Sequence, residues 1–429
     1  MTSPLALLGG VPLRGEPFPQ YQTIGSEERN AAIEVLDSGV LSQFIGRDHP
    51  YFGGGPRIKQ LQGAWAEMFG SKHAIAVNSA TSGLYAAIGA LDLEVGDEVL
   101  VSPYTMIASA TCALVYNTIP VFVDIDPETY CMDPDDIERQ ITNRTKAIVV
   151  VHLFGCPAPM GRIMEIARKH GLKVIEDCAQ SPLATIDGRE TGTFGDIGIF
   201  SLNCHKTIQC GEGGICITDD DELALRLQLI RNHGEACVEN MGYEKISNIL
   251  GQNYRMGEIE AAIANEQLKK LPELTRGRQE RAAYLSDKLA SLDGIETPTT
   301  PEGSSHVYYL YVMRLLEEKV GITRDLFCKA VNAEGVQIFP GYVQPMYWEP
   351  LYQKRIAFGS KGFPWNSPYV DRDVTYPKGL CSVCEGVNEN LFFTTLMYPP
   401  MTRDDLDDVV GAFAKVLSHA EDLRDHETK

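Results

Sequence analysis

Short apolar runs rich in β-branched residues alternate with amphipathic segments along the first half of the chain. A strand with one solvated face alternates strictly between apolar and polar residues, and these runs do not. Continuous apolar runs of this kind are typical of strands buried on both faces. They lie at 73–77, 98–101, 120–123, 147–151, 173–175, 197–200 and 214–217. Helical periodicity between them is clearest at 160–170 and 221–231. The order predicts an α/β fold with a mainly parallel sheet covered by helices.

The pattern changes after about residue 271. A helical stretch, a strand-like run, loops rich in Pro, Gly and Tyr, and a last helix follow, at 272–292, 306–312, 339–384 and 403–417. This order indicates a smaller α+β domain. We therefore expect a large domain over residues 1–271 and a small C-terminal domain over residues 272–429. The charged tail after His419 is expected to be disordered.

Composition is that of a large soluble protein. Of 429 residues, 44% are hydrophobic and 22% charged, and the net charge of −20 argues against a nucleic-acid or anionic-membrane partner. No apolar run approaches the ~20 residues of a membrane span. The first 25 residues also lack the order of a secretory signal. The 11 scattered cysteines are typical of a reducing compartment, so we expect a cytoplasmic protein.

Two groups of cysteines have spacings that invite a metal interpretation. Cys381 and Cys384 are separated by two residues, but no second pair lies at a suitable distance. Cys204, Cys210 and Cys216 lie in a segment that we expect to be buried, where free cysteine behaves as a small hydrophobe. We predict no metal.

Asp177 and Lys206 carry the candidate chemistry. Asp177 ends an apolar run, which predicts a carboxylate at the edge of the sheet, and Lys206 precedes the glycine-rich turn 211–214. Pyridoxal phosphate needs an amine to hold its aldehyde as a Schiff base and a carboxylate to keep its ring nitrogen protonated. An isolated Asp is more often a loop cap, and an isolated Lys is more often a solvated surface charge. The surrounding motifs therefore decide whether this pair binds a cofactor.

Further motifs surround this pair in order, at 5–10, 35–39, 174–180, 192–201, 211–214, 253–256 and 258–263. Together they resemble the DegT/DnrJ/EryC1/StrS family of sugar and aminocyclitol aminotransferases, a branch of the fold-type I pyridoxal phosphate enzymes. The resemblance implies a ping-pong transfer of an amino group from L-glutamine or L-glutamate to a ketone on a sugar or cyclitol ring. Lys206 would be the proton-transferring base, and Asp177 the partner of the pyridine nitrogen.

The cofactor phosphate needs donors, and the segment 76–84 offers them. A strand ends at Val77, small residues follow, and a helix begins near Ser82, so free amides and the positive end of the helix dipole point to one place. An ordinary capped helix would have the same pattern. The resemblance implies that Ala80 and Thr81 bind the phosphate, and that a third residue adds a hydroxyl, namely Ser201.

Three further cofactor contacts follow from the resemblance. Gln180 is expected near the phenolic oxygen of the ring; its alternative role is a loop amide bonded to backbone. Met106 stands where the family usually has an aromatic residue stacked on the ring. A thioether can also pack against a ring, at about 0.3–1.5 kcal/mol. Tyr104, two residues earlier, is an alternative stacking partner if the strand is still regular there.

Asn253 precedes the helix predicted at 258–271. In the family this asparagine reaches the phosphate of the neighbouring subunit, and the alternative is a capping residue under an interface helix. Both interpretations require a partner, so we expect a homodimer with shared active sites.

The segment 341–351 is the candidate acceptor site, with Tyr342 and Tyr347 as substrate residues. It is rich in aromatic and amide groups and contains no Lys or Arg. Such groups suit a hydroxylated ring better than a nucleotide diphosphate, so we favour a small, unactivated ketone. Two other functions remain open: a keto-sugar dehydratase on the same scaffold, in the known form of which histidine replaces the lysine, and a non-catalytic cofactor-binding regulator.

Overall fold

The computed structural model describes residues 4–427. Its strands are β1 (His73–Val77), β2 (Glu98–Val101), β3 (Ile119–Phe122), β4 (Thr145–Val151), β5 (Lys173–Asp177), β6 (Thr185–Ile186), β7 (Arg189–Glu190), β8 (Ile197–Ser201), β9 (Gly214–Thr218), β10 (Ile295–Glu296), β11 (Ser304–Ser305), β12 (Tyr311–Leu315), β13 (Phe339–Pro340) and β14 (Leu391–Thr394).

The α-helices are α1 (Ser26–Ser38), α2 (Pro56–Phe69), α3 (Ala80–Ala90), α4 (Ala108–Val115), α5 (Pro134–Gln140), α6 (Met160–His170), α7 (Asp221–Arg231), α8 (Glu258–Leu289), α9 (Glu317–Val320), α10 (Arg324–Ala333), α11 (Pro350–Gln353), α12 (Ser382–Asn390), α13 (Arg403–Ser418) and α14 (Ala420–Glu427). Short 3₁₀ turns lie at Ala6–Leu8, Leu153–Gly155, Gly234–Ala236 and Met346–Trp348. Within residues 4–427, no helix combines the length and the apolar character needed to cross a bilayer.

The central sheet has seven strands in the order β1-β9-β8-β5-β4-β2-β3. The strands β8, β5, β4, β2 and β3 run parallel, and β9 runs antiparallel to both of its neighbours. This confirms the predicted mainly parallel sheet, and each predicted strand of the first half is present within about two residues of its expected bounds. Residues such as Val99, Val149 and Ile175 are fully buried, as strands covered on both faces require.

The topology brings several chain ends to one edge of this sheet. In the register, Val77 and Ser201 both pair with Gly214, so β1 and β8 end where β9 begins. Asp177, the last residue of β5, pairs with Ile199 of β8. Ligands bind at the carboxyl ends of the strands in open α/β sheets, so this edge is where a site is expected.

A second, four-stranded antiparallel sheet, β10-β12-β14-β13, lies in the C-terminal part of the chain. Its core is formed with α10 and α13 and includes Phe327, Phe392 and Phe413. The helix α8 continues through the predicted boundary at residues 271 and 272, so no break in secondary structure marks that position. The two-domain division itself stays a prediction.

Two local expectations were wrong. The tail after His419 is not irregular, since α14 occupies Ala420–Glu427 and Leu423 is buried. Cys204 is exposed, because the chain leaves β8 after Ser201 and turns there. Cys381 and Cys384 are buried, and burial raises their thiol pKa values, as expected of packing cysteines.

Candidate active site

A cavity of about 350 Å³ lies at the edge of the central sheet where β1, β5 and β8 end. Most of the residues predicted for the site line it: Ala80, Thr81, Met106, Asp177, Gln180, Ser201, Lys206 and Tyr342. They come from five separate segments of the chain, which only the folded topology brings together.

The Asp177 carboxylate is held from two sides. Ser109, on α4, donates its hydroxyl to Oδ2 of Asp177 over 2.7 Å, and the amide of Ala179 donates to Oδ1 over 3.1 Å. Asp177 is 4% exposed. The two hydrogen bonds therefore fix the orientation of a carboxylate that lines the cavity.

Lys206 lines the same cavity as Asp177. Its Nζ is 4.5 Å from the centroid of the Tyr309 ring. Burial lowers the pKa of the Lys206 amine to about 8, against a smaller opposing influence of Asp177. A larger fraction of this amine is unprotonated at neutral pH than in an exposed lysine, which is what a nucleophile or general base needs.

The residue before Asp177 anchors the loop that follows β5. Both oxygens of the fully buried Glu176 accept hydrogen bonds of 2.6 to 2.9 Å, from His152 Nε2 and from the amides of Gly192, Phe194 and Gly195. The ligand atoms of His152, Glu176 and Cys178 lie within 4.8 Å of one another. Because both Glu176 oxygens are already occupied by donors, this cluster works as a hydrogen-bonded support for the strand end.

The start of α3 also lines the cavity. Ser79 caps the helix by accepting the amide of Ser82, so the helix begins at Ala80, two residues before the predicted start. The first amides of a helix have no partner within it, which leaves those of Ala80 and Thr81 for a ligand. Gly214 makes the close approach possible, since a Cβ there would lie 2.6 Å from the Ala80 nitrogen.

Gln180 and Tyr342 form the wall next to Asp177. The amide of Phe154 donates to Oε1 of Gln180 over 2.7 Å, which orients the side chain so that Nε2 donates to the Tyr342 hydroxyl over 3.0 Å. Phe154 has a left-handed backbone, with φ of 59°, an uncommon conformation for a bulky residue that is found preferentially near functional sites. The Tyr342 hydroxyl keeps its own proton for a group in the cavity.

Residues 22–380 match the model of the DegT/DnrJ/EryC1/StrS aminotransferase family. The chain belongs to this family. It is therefore an aminotransferase, and the members of the family use pyridoxal phosphate.

Three relatives of this DegT/DnrJ/EryC1/StrS aminotransferase illustrate the similarity. The L-glutamine:2-deoxy-scyllo-inosose aminotransferase of Streptomyces fradiae is 34% identical over 99% of this chain and 100% of its own. The L-glutamine:scyllo-inosose aminotransferase of Streptomyces griseus is 32% identical with the same coverage. The solved structure of DesI in the presence of its TDP-sugar product is 25% identical, superimposes with a TM-score of 0.81 and covers 99% of both chains. It shares the fold-type I architecture.

The residues of this aminotransferase fit that cofactor. Lys206 and Asp177 offer an amine and a carboxylate in one cavity, and the N-terminus of α3 offers amides to a phosphate in the same cavity. The hydroxyl of Ser201 lies in the same lining. Bound there, pyridoxal phosphate would supply an aldehyde for the substrate amine and a ring that withdraws electrons from the reacting carbon.

Tyr104 and Tyr347 lie outside the cavity, contrary to their predicted contacts. Both are fully buried; the Tyr104 hydroxyl donates to Asn388 over 3.3 Å, and the Tyr347 hydroxyl donates to Glu385. The strand β2 ends at Val101, so regular alternation does not continue to this segment, and Met106 lines the cavity whereas Tyr104 does not. These positions leave Met106 as the stacking candidate and Tyr342 as the substrate candidate.

Asn253 does not line the cavity of its own subunit. It is exposed, and its Oδ1 accepts the Nε of Arg255 over 2.7 Å. Its predicted contact with the partner's phosphate stays a prediction.

The sequence analysis did not identify two residues of the site. Ser109 orients Asp177, and the ring of Tyr309 packs against Lys206. Tyr309 lies just before β12, in a run that sequence pattern assigned to a strand. No motif distinguishes these residues, because their roles depend on contacts between distant segments of the chain.

Proposed function

We propose that this aminotransferase uses pyridoxal phosphate to move the amino group of L-glutamine or L-glutamate to a ketone on a cyclitol or sugar ring. The amino acid is released as its 2-oxo acid. The acceptor is released with an amino group on the ring carbon that carried the ketone oxygen. The observation that carries the proposal is that Lys206, Asp177 and the first residues of α3 line one cavity.

Each residue of the pair has one task. Lys206 Nζ takes a proton from the amine-bearing carbon of the donor and returns a proton to the ring carbon of the acceptor, and its lowered pKa of about 8 suits both directions near neutral pH. Asp177, held by Ser109, would pair with the ring nitrogen of bound pyridoxal phosphate and keep that nitrogen protonated.

The acceptor is a small ketone without a nucleotide. Lys206 and Arg278 are the cations among the residues that line this cavity and the cavity beside it. A nucleotide diphosphate would bring about two negative charges to a protein of net charge −20. The inosose aminotransferases among the relatives support a cyclitol, whereas DesI, crystallised with a TDP-sugar, represents the other branch.

The active unit is a homodimer in the cytoplasm. Met106, which lines the cavity, is 60% exposed, and its neighbour Ile107 is 38% exposed; exposed apolar side chains beside a site are commonly covered by another chain. Asn253 of one subunit would then complete the phosphate site of the other. All 11 cysteines are free, which supports a reducing compartment.

The test is amination of a panel of ketones by the purified protein loaded with pyridoxal phosphate. L-glutamine, L-glutamate or no donor is combined with an inosose or a nucleotide-linked 4-keto sugar, and the amine product is identified by mass spectrometry. We expect the inosose to be aminated faster, and Lys206→Ala to give none. A clear preference for the nucleotide-linked ketone would overturn the choice of acceptor, and no amination of any ketone would overturn the function.

A further inference from the structure

An irregular segment near the N-terminus, residues 19–23, contacts the loop that carries Lys206. Within it, the hydroxyl of Tyr21 donates to the carbonyl of Thr207, the residue that follows the lysine. Thr207 is 3% exposed, and no other donor among the described residues meets its carbonyl. The Tyr21 hydroxyl therefore satisfies a buried backbone group one residue from the reacting lysine.

A second contact joins the same two parts of the chain. The amide of Gln209 donates to Oε1 of Gln267 on α8 over 3.3 Å, and this oxygen also accepts the hydroxyl of Thr23 over 2.8 Å. Nε2 of Gln267 donates to the carbonyl of Thr23 over 2.9 Å. Because Gln267 is fully buried, one fixed side-chain amide ties the segment 19–23 to the loop after Lys206.

The ring of Tyr21 is itself fixed by its neighbours. Its centroid lies 5.0 Å from that of Tyr398, whose hydroxyl donates to the carbonyl of Pro19 over 2.9 Å. The guanidinium carbon of Arg278 also lies 5.0 Å from the centroid of the Tyr21 ring. Burial raises the pKa of Tyr21, so its hydroxyl keeps the proton that it donates to the Thr207 carbonyl.

Tyr21 does not line the cavity that Lys206 lines. It lines a second cavity of about 530 Å³, which shares Tyr309 and two other residues with the first. The connection from Tyr21 to the lysine is therefore the hydrogen bond to the Thr207 carbonyl, and not a contact between the two side chains.

We propose that Tyr21 is a positioning residue for Lys206, an assignment that rests on the proposed role of this lysine in proton transfer. A base that serves two carbon atoms in turn needs a fixed reach, and misplacing a reacting group by about 1 Å can slow a reaction about 100-fold. The Tyr21 hydroxyl holds the backbone beside the lysine, and the Gln267 side chain holds it two residues further on. The N-terminal segment thus keeps the amine beside Tyr309 in both half-reactions.

The first test uses the protein without cofactor. Hydrogen–deuterium exchange with mass spectrometry measures the protection of peptides that span residues 202–211. Tyr21→Phe keeps the ring and removes the hydroxyl, so we expect faster exchange in these peptides and unchanged exchange in β5. Tyr311→Phe is the matched control, because Tyr311 is fully buried, its hydroxyl is 2.7 Å from that of Ser286, and it lines neither cavity. It should leave the loop peptides unchanged.

The second test measures Lys206 itself. Burial lowers the pKa of its amine, so a looser loop that admits water should move this pKa back towards that of an exposed lysine. The rate of covalent attachment of pyridoxal phosphate should then level off at a higher pH in Tyr21→Phe than in the unmodified protein. With L-glutamine, the limiting rate should fall roughly 10-fold, the effect of losing one hydrogen bond, while the half-saturating concentration changes by less than about 2-fold.

Three results would overturn the inference. The first is unchanged exchange of the loop peptides in Tyr21→Phe. The second is an equal increase of their exchange in Tyr311→Phe, which would reflect general destabilisation. The third is a higher half-saturating concentration with an unchanged limiting rate, which would make Tyr21 a substrate contact in the second cavity.

Tyr398→Phe provides a second variant. It removes the hydrogen bond to Pro19 at the other end of the segment, so the loop peptides should again exchange faster, and this comparison decides the inference if Tyr21→Phe does not fold. If the unmodified protein attaches no pyridoxal phosphate or aminates no ketone, the proposed function fails, whereas hydrogen exchange still decides whether Tyr21 holds the loop.

Discussion

Ser109 donates its hydroxyl to the carboxylate of Asp177 over 2.7 Å, although the two residues are 68 positions apart in the chain. The bond joins the start of α4 to the end of β5 inside the cavity. It fixes the rotamer of Asp177, the carboxylate that a pyridine nitrogen would require. A serine outside the recognised motifs thus belongs to the proposed cofactor site.

Ser109→Ala should weaken catalysis without removing it. Asp177 keeps the Ala179 amide but loses its second donor, so we expect cofactor binding to persist and the transamination rate to fall about 10-fold. The measurement is the limiting rate with saturating L-glutamine. Thr111→Ala, on the same helix and outside the cavity lining, is the control and should keep the full rate. A full rate in Ser109→Ala would show that the bond is dispensable.

Asp177→Asn tests the charge itself. The amide keeps the shape of the side chain but cannot hold a proton on the ring nitrogen, so the cofactor should still bind while transamination falls by roughly three orders of magnitude. Absorbance reports the bound cofactor, and product analysis reports the rate. Near-normal activity in this variant would move the electrostatic role to another residue.

The sequence was sufficient to predict the sheet and to place Asp177 and Lys206 together in one candidate site. Buried parallel strands have continuous apolar runs, which is why β1, β5 and β8 were found close to their bounds. Asp177 and Lys206 stood in recognisable motifs. The supporting residues did not, because Arg278 is one arginine among several on α8, and only the packing of that helix shows that it lines a cavity.

The lowered pKa of Lys206 predicts how fast apoprotein takes up the cofactor. Only the unprotonated amine attacks the aldehyde, so the rate of covalent attachment should rise with pH and level off above about pH 8. An exposed lysine would keep gaining rate towards its ordinary pKa near 10.4. Stopped-flow absorbance from pH 6 to 10 measures this profile, with Lys206→Ala as the blank. A rate still rising at pH 10 would contradict the burial of the amine.

The hydrogen bonds of Glu176 should increase the free energy of unfolding of the protein. Glu176→Gln replaces one charged acceptor oxygen by an NH₂ group that faces backbone donors, including the Gly192 amide. We expect a loss of about 3 kcal/mol in the free energy of unfolding, measured by urea denaturation. Glu165→Gln removes an exposed ion pair with Arg162 and should cost at most about 0.5 kcal/mol. Equal effects of the two substitutions would exclude a supporting role for Glu176.

Asn253 gives the test of shared active sites. It is exposed and lies outside the cavity of its own subunit, so its proposed place at the phosphate requires a second copy. Asn253→Ala and Lys206→Ala should each be inactive or nearly so as homodimers. In a mixed dimer, one of the two sites receives its lysine from the Asn253→Ala subunit and its asparagine from the Lys206→Ala subunit, so activity should return to at most about half of the normal value.

Differently tagged subunits, co-expressed and purified through both tags, provide the mixed dimer. Each homodimer, purified in parallel and checked for folding, sets the background rate. Asn248→Ala in place of Asn253→Ala is the control: this residue donates to the carbonyl of Leu93 within its own chain, so Asn248→Ala homodimers should already be active. Verified mixed dimers of the two inactive variants that are no more active than background would contradict shared sites. In that case either Asn253 and Lys206 serve the site of the same subunit, or Asn253 has no part in the site.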